Sequence, residues 1–144
     1  MSSSVPLNWR SIKDKYQLLG TKCEKCGKLY FPSRKICPQC RREGKPKTVK
    51  FSGKGTVYSY SIVRNAPEGF ELFTPYVISL IELEEGPKLL CQIVDCRPED
   101  VYIGMPVESV FRKLRADGKE GVISYSFKFV PTSSTWKKVE KSPV

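Results

Sequence analysis

Four cysteines carry the clearest chemistry in this chain. They stand as Cys23-Glu24-Lys25-Cys26 and Cys37-Pro38-Gln39-Cys40, two CxxC pairs with the ten residues Gly27 to Ile36 between them. Two cysteines separated by two residues can turn both sulfurs inward on one knuckle, and two knuckles supply a tetrahedron. Gly27, directly after the first pair, suits a tight turn at positive φ, and Pro38 presets φ inside the second knuckle. Four soft thiolates favour zinc, and iron fits the same cage. With every position filled by protein, no site stays open for water or substrate. Cys23, Cys26, Cys37 and Cys40 are therefore expected to hold a structural metal that performs no chemistry. The thiol alternatives are a pair of disulfides or a redox dithiol. The latter needs one CxxC opening a helix in a βαβ unit, and nothing here reads that way.

Other catalytic material is scarce. The chain has no histidine, which removes the commonest general base, the usual catalytic zinc ligand and every Ser-His or Cys-His pair. Cys91 alternates with Leu89 and Ile93 and reads as a small buried hydrophobe. Cys96 has only Arg97 beside it as an activating cation. No residue is assigned a catalytic role, and the chain reads as a non-enzyme.

At 144 residues there is room for one ordinary domain, or for a small barrel plus a metal-stapled module. The start, Met1-Ser2-Ser3-Ser4-Val5-Pro6, lacks the apolar core of a signal peptide, and no later run is long enough to span a bilayer. Together with thiolates kept free for metal, this leads to the expectation of a cytoplasmic protein without a membrane partner. The net charge of +10 is uneven: +10 over residues 1–50, −2 over 51–131 and +2 over 132–144. A basic front half fits an anionic partner, whether nucleic acid, a nucleotide-like cofactor or an acidic protein face; the plain alternative is a solvated surface.

Helix, ribbon and barrel must position these residues. Residues 1–20 are expected to form an N-terminal amphipathic helix, with Trp9, Ile12, Tyr16 and Leu19 at helical spacing and Gly20 as its cap. Its stripe packs either on its own chain or on a partner. Residues 21–50 form the ribbon, with a short strand at Lys28-Leu29-Tyr30-Phe31, Arg34 and Lys35 in the loop between knuckles, and a linker from Arg41 to Lys50. From Phe51 the texture is all-β. Strands are expected over Thr56–Val63, Tyr76–Leu83, Lys88–Val94, Pro106–Leu114 and Gly121–Val130, with an irregular crossing at Pro98–Met105. Alternation puts Tyr58, Tyr60 and Ile62 on one face.

The fold class is thus mainly β: an N-terminal helix, a rubredoxin-like zinc ribbon and a C-terminal five-stranded OB-fold barrel over 51–131, with a basic tail at 132–144. A sandwich is the rival. Gly53 and Gly55 would permit the sharp bend of the first barrel strand. The loop from Asn65 to Pro75 carries Phe70, Leu72 and Phe73 where solvated residues belong, so it either makes a contact or plugs the barrel end.

This order is specific. Trp9-Arg10 on the helix, two knuckles bridged by Leu29-Tyr30-Phe31-Pro32-Ser33-Arg34, and a barrel opened by Ser52-Gly53-Lys54-Gly55-Thr56-Val57 come in succession. Further segments are Ala66-Pro67-Glu68-Gly69-Phe70, Pro75-Tyr76-Val77 and Ile103-Gly104-Met105-Pro106-Val107. The chain resembles the family of zinc-ribbon and OB-fold proteins, once a domain of unknown function, that accompany thiolases and other acyl-CoA enzymes. It departs at Ser33, where that family commonly shows a second proline. The resemblance implies an accessory subunit in lipid metabolism. In archaeal relatives such a protein bridges acetoacetyl-CoA thiolase and HMG-CoA synthase of the mevalonate pathway and helps hold coenzyme A; bacterial relatives pair with thiolase-like aldolases. Coenzyme A offers phosphates for cations, a flat adenine for stacking and an extended arm. The residues expected to meet it are Arg34 and Lys35 for phosphate, with Tyr58, Tyr60, Phe70 and Phe73 near adenine or arm. The alternative function is single-stranded nucleic-acid binding, which ribbons and OB folds also serve, although that would want cations along the barrel itself.

Overall fold

A computed structural model describes residues 5–10, 12–65, 67, 70, 73–116, 121 and 123–132. At the front, Val5–Arg10 (α1) and Ile12–Gln17 (α2) are six-residue helical segments. Of the helix expected over residues 1–20 these two segments are described, Ser11 lying outside the described residues. Its end differs from expectation. Leu18, at φ 50°, makes the left-handed turn expected of Gly20. Gly20 is already in a strand, where an added Cβ would come within 2.2 Å of the Phe51 ring.

Three antiparallel strands form the ribbon sheet: β1 (Leu19–Cys23), β2 (Leu29–Tyr30) and β3 (Pro46–Lys50), in the order β2-β1-β3. The stretch read as a linker therefore ends in a strand whose register runs from Leu19↔Lys50 to Cys23↔Pro46. Glycine and proline obscure it. Pro46 is tolerated because it is the first residue of an edge strand, where a missing N–H costs little. The lysines Lys47 and Lys50 then keep that edge solvated.

The second sheet is a closed barrel of β4 (Lys54–Val63), β5 (Tyr76–Leu83), β6 (Lys88–Ile93), β7 (Pro106–Ala116) and β8 (Ile123–Pro131), in the order β4-β5-β6-β8-β7. This is the OB arrangement, not a sandwich. A single 3₁₀ turn, Pro98–Asp100, lies in the crossing between β6 and β7. Along β5 intermediate and buried positions alternate strictly, and Val77, Ile81 and Leu83 meet Val57, Leu89, Ile93, Val107 and Phe129 in the core. The barrel closes between β6 and β8 through one parallel register pair, Ile93↔Phe129, with the Val94 N–H donating to the Phe129 carbonyl at 2.9 Å.

Two local features set β4. Gly53 sits at φ 79°, and an added Cβ there would lie 2.0 Å from Ser109 Oγ, so the entry to the strand admits only glycine. Further on, the register against β5 shifts between Val57 and Ser59. Tyr58 is the extra residue of this bulge, which reverses the later alternation. Tyr60 then stands opposite the buried Ser79 and Ile62 opposite the buried Val77, while Tyr58 points outward, half exposed. The expected common face of Tyr58, Tyr60 and Ile62 is therefore split.

Ribbon and barrel share apolar packing. Phe31 meets Phe51 and Phe127 edge-on, at centroid separations of 6.2 and 5.8 Å. The Phe51 N–H donates to the Leu18 carbonyl at 3.2 Å, and both residues are buried. Tyr16 of α2 lies against Phe111 at 4.7 Å, whereas Trp9 is 76% exposed. No helix among the described residues is long and apolar enough to cross a membrane.

Candidate functional site

The two knuckles are built alike. At the first, β1 delivers Cys23, the Gly27 N–H returns to the Cys23 carbonyl at 2.8 Å, and Gly27 takes φ 72°. At the second, the Arg41 N–H returns to the Cys37 carbonyl at 2.8 Å and Arg41 takes φ 48°. The sequence does not announce this second left-handed position, because its residue is an arginine. Closing the second turn requires Gly44, whose added Cβ would fall 2.7 Å from that of Cys37. Lys25 pairs with Glu43 across the knuckles, and Lys47 Nζ lies 3.6 Å from Glu24 Oε1.

The four sulfurs of Cys23, Cys26, Cys37 and Cys40 all lie within 4.8 Å of one another, with Cys26 and Cys37 at 3.6 Å. Thiolates about 2.3 Å from a central ion would be separated by roughly 3.8 Å, so the cluster fits a tetrahedral metal. All six cysteines are free thiols, which removes the disulfide alternative. Local electrostatics point the same way. The Cys26 amide lowers the Cys23 thiol, and the Cys40 amide, chiefly, pulls Cys37 down to about 6. Burial, and after it the neighbouring thiols, pushes Cys40 up to about 12. Four sulfurs this close cannot all ionise without a cation among them. Such an ion would supply a crosslink and nothing else. The CxxC spacing gives no hint of Tyr30, whose hydroxyl lies 3.6 Å from Cys37 Sγ and so supports the ligand from outside the cage.

A groove of about 370 Å³ runs along the seam between β6 and β8. Pro67 and Phe70 form one wall, and Leu90, Gln92, Ser126 and Lys128 are among the others. Phe70 packs near Tyr76 and Phe73, each at 6.2 Å, and neither phenylalanine enters the buried core. Ala66, Glu68, Gly69, Glu71 and Leu72 of this loop lie outside the described residues, as does the tail from residue 133. Lys128 is 7% exposed, with Nζ 5.9 Å from the Phe73 ring centroid. Burial lowers its pKa. Lys128 lies between Phe127 and Phe129 on β8, and the Phe73 ring over its ammonium comes from a segment remote in sequence.

The six residues expected at coenzyme A do not share this groove. Phe70 lines it and Phe73 flanks it. Arg34 and Lys35 are exposed on the ribbon loop, with the Arg34 guanidinium 5.9 Å from the Tyr30 ring. Tyr58 lies beneath the Lys88 ammonium at 3.2 Å, and Tyr60 is on the other side of the β4 bulge. Cys91 donates to the Phe127 carbonyl at 3.3 Å. Arg97, the one cation beside Cys96 in sequence, instead pairs with Asp100 at 3.1 Å.

Two family models match the chain, described as the rubredoxin-like zinc ribbon domain of ChsH2 over residues 10–45 and the C-terminal OB-fold domain of ChsH2 over 48–112. A DUF35 domain-containing scaffold protein of Methanocaldococcus jannaschii is 58% identical over 127 residues, covering 88% of this chain and 90% of the relative. The chain belongs to the DUF35 scaffold family. Another relative of this DUF35 chain is the benzoylsuccinyl-CoA thiolase subunit BbsA of Thauera aromatica, 33% identical over 112 residues, covering 78% of this chain and 74% of the subunit. Among solved structures, a chain of the Ltp2-ChsH2(DUF35) aldolase superposes with a TM-score of 0.67 at 31% identity, covering 91% of this chain and 96% of that one.

Proposed function

We propose that this DUF35 protein is a non-catalytic accessory subunit that docks on a thiolase-type enzyme, of the acetoacetyl-CoA thiolase or HMG-CoA synthase kind, and helps hold the acyl-CoA. The observation that carries the reading is its similarity to a named thiolase subunit and to a DUF35 chain of an aldolase assembly. The closed cysteine cage supports it, because all four donors are protein sulfurs and zinc held there would staple the ribbon and leave no ligand position for chemistry. Arg34, Lys35, Tyr58, Tyr60, Phe70 and Phe73 are proposed contacts to coenzyme A across the assembled complex, since their separate positions call for a partner surface to complete the site. The nucleic-acid alternative gains nothing from these relatives.

Affinity capture of the tagged chain from its own cells, with mass-spectrometric identification of the co-purifying proteins, tests the docking. A thiolase-type enzyme at near-stoichiometric yield is expected. Calorimetry with acetoacetyl-CoA, with and without that enzyme, tests the ligand. No heat in either case would remove the acyl-CoA part while leaving the docking in place.

A further inference from the structure

Lys128 is a cation in an unusual position. It is nine-tenths buried on β8, it lines the seam groove, and no described residue gives its ammonium a salt bridge or a hydrogen bond. The face of Phe73 lies over it. Asp95 acts on it through space, but that carboxylate is already engaged by Arg112 at 2.9 Å. A largely buried side chain whose ammonium has no close counter-ion among the described residues gains from an anion brought into the groove it lines. Around it the groove is mostly apolar: Phe70, Tyr76, Ile78, Leu90 and Leu114 provide carbon surface, and Leu90 is 71% exposed. A volume of about 370 Å³ falls within the range of small-molecule sites.

We propose that the groove between β6 and β8 binds a medium-chain organic carboxylate, its single negative charge on Lys128 and its hydrocarbon part along Phe70, Ile78 and Leu90. One cation matches one carboxylate. A phosphate would bring about two charges into a mostly apolar wall whose other polar lining side chains, Tyr76, Cys91, Gln92 and Ser126, supply no second cation. The groove shares Phe70 with the proposed acyl-CoA contacts and Phe73 flanks it, whereas Arg34, Lys35, Tyr58 and Tyr60 do not line it and the carboxylate site does not depend on them.

The test uses the full-length, metal-loaded chain and three probes: octanoate, its neutral counterpart octan-1-ol, and inorganic phosphate. In a titration read by amide NMR, octanoate is expected to shift Leu90 to Gln92 and Ser126 to Lys128 with saturation at or below millimolar concentration. Octan-1-ol should bind at least about tenfold more weakly, and phosphate should leave these amides unmoved. Lys128→Met keeps the length and removes the charge. It should weaken octanoate about tenfold while its melting temperature confirms folding. Should that variant fail to fold, the wild-type comparison of octanoate with octan-1-ol decides. Equal affinity for the two, saturation by phosphate, or no saturation by octanoate overturns the proposal.

Discussion

Phe31 of the ribbon meets Phe127 of the barrel edge to face, their ring centroids 5.8 Å apart and their planes inclined at 70°. The same ring touches Phe51, so one side chain from the loop between the two knuckles joins both halves of the chain. Phe31→Ala should remove this junction and lower unfolding stability by about 3 kcal/mol, read from urea denaturation. A loss near zero would mean that the halves are held by something else.

Metal content should depend on all four cysteines, and each Cys→Ser variant should bind less than the parent. Tyr30→Phe is more diagnostic, because it removes only the hydroxyl beside Cys37 Sγ. Affinity for zinc, measured by competition with a chromophoric chelator, is expected to fall about tenfold with the fold intact.

Gly53→Ala should be among the most damaging small substitutions. It combines φ 79° with a Cβ 2.0 Å from Ser109 Oγ. The backbone alone accounts for about 1–2 kcal/mol. Gly53→Ala in a Ser109→Ala background should recover part of the remainder, a coupling that a double-mutant cycle would show.

Burial pushes the Cys91 thiol up to about 12 and Cys96 up to about 11, from an ordinary value of 9.0. At pH 8 the thiolate fraction of Cys91 is then roughly one part in ten thousand. Iodoacetamide should modify both far more slowly than it modifies the unfolded chain. Because their pKa values are raised in the fold, these thiols favour the native state fully below about pH 9, and that contribution is lost as pH rises towards 11 and 12. Denaturation midpoints that stay flat over this alkaline range would contradict it.

The cage is legible because paired CxxC spacing admits few geometries, and β5 is legible end to end because Tyr76–Leu83 is a run mostly apolar on both faces that stops at the Glu84-Glu85-Gly86-Pro87 turn. The features that stay hidden depend on contacts remote in sequence. β3 exists because β1 pairs with it, not because Pro46-Lys47-Thr48-Val49-Lys50 favours a strand alone. Simple alternation puts Tyr58 and Tyr60 on one face because a bulge leaves no mark in such a run. The burial of Lys128 leaves no mark in the sequence, because the Phe73 ring over its ammonium lies more than fifty residues earlier.

Only Phe51, Ser52 and Gly53 separate the last ribbon strand from the first barrel strand, and the first of these is buried in the apolar packing shared by both. That leaves no slack for a swinging tether. Any two bodies gripped at opposite ends of this chain would be held at a preset spacing and angle, as by a bracket.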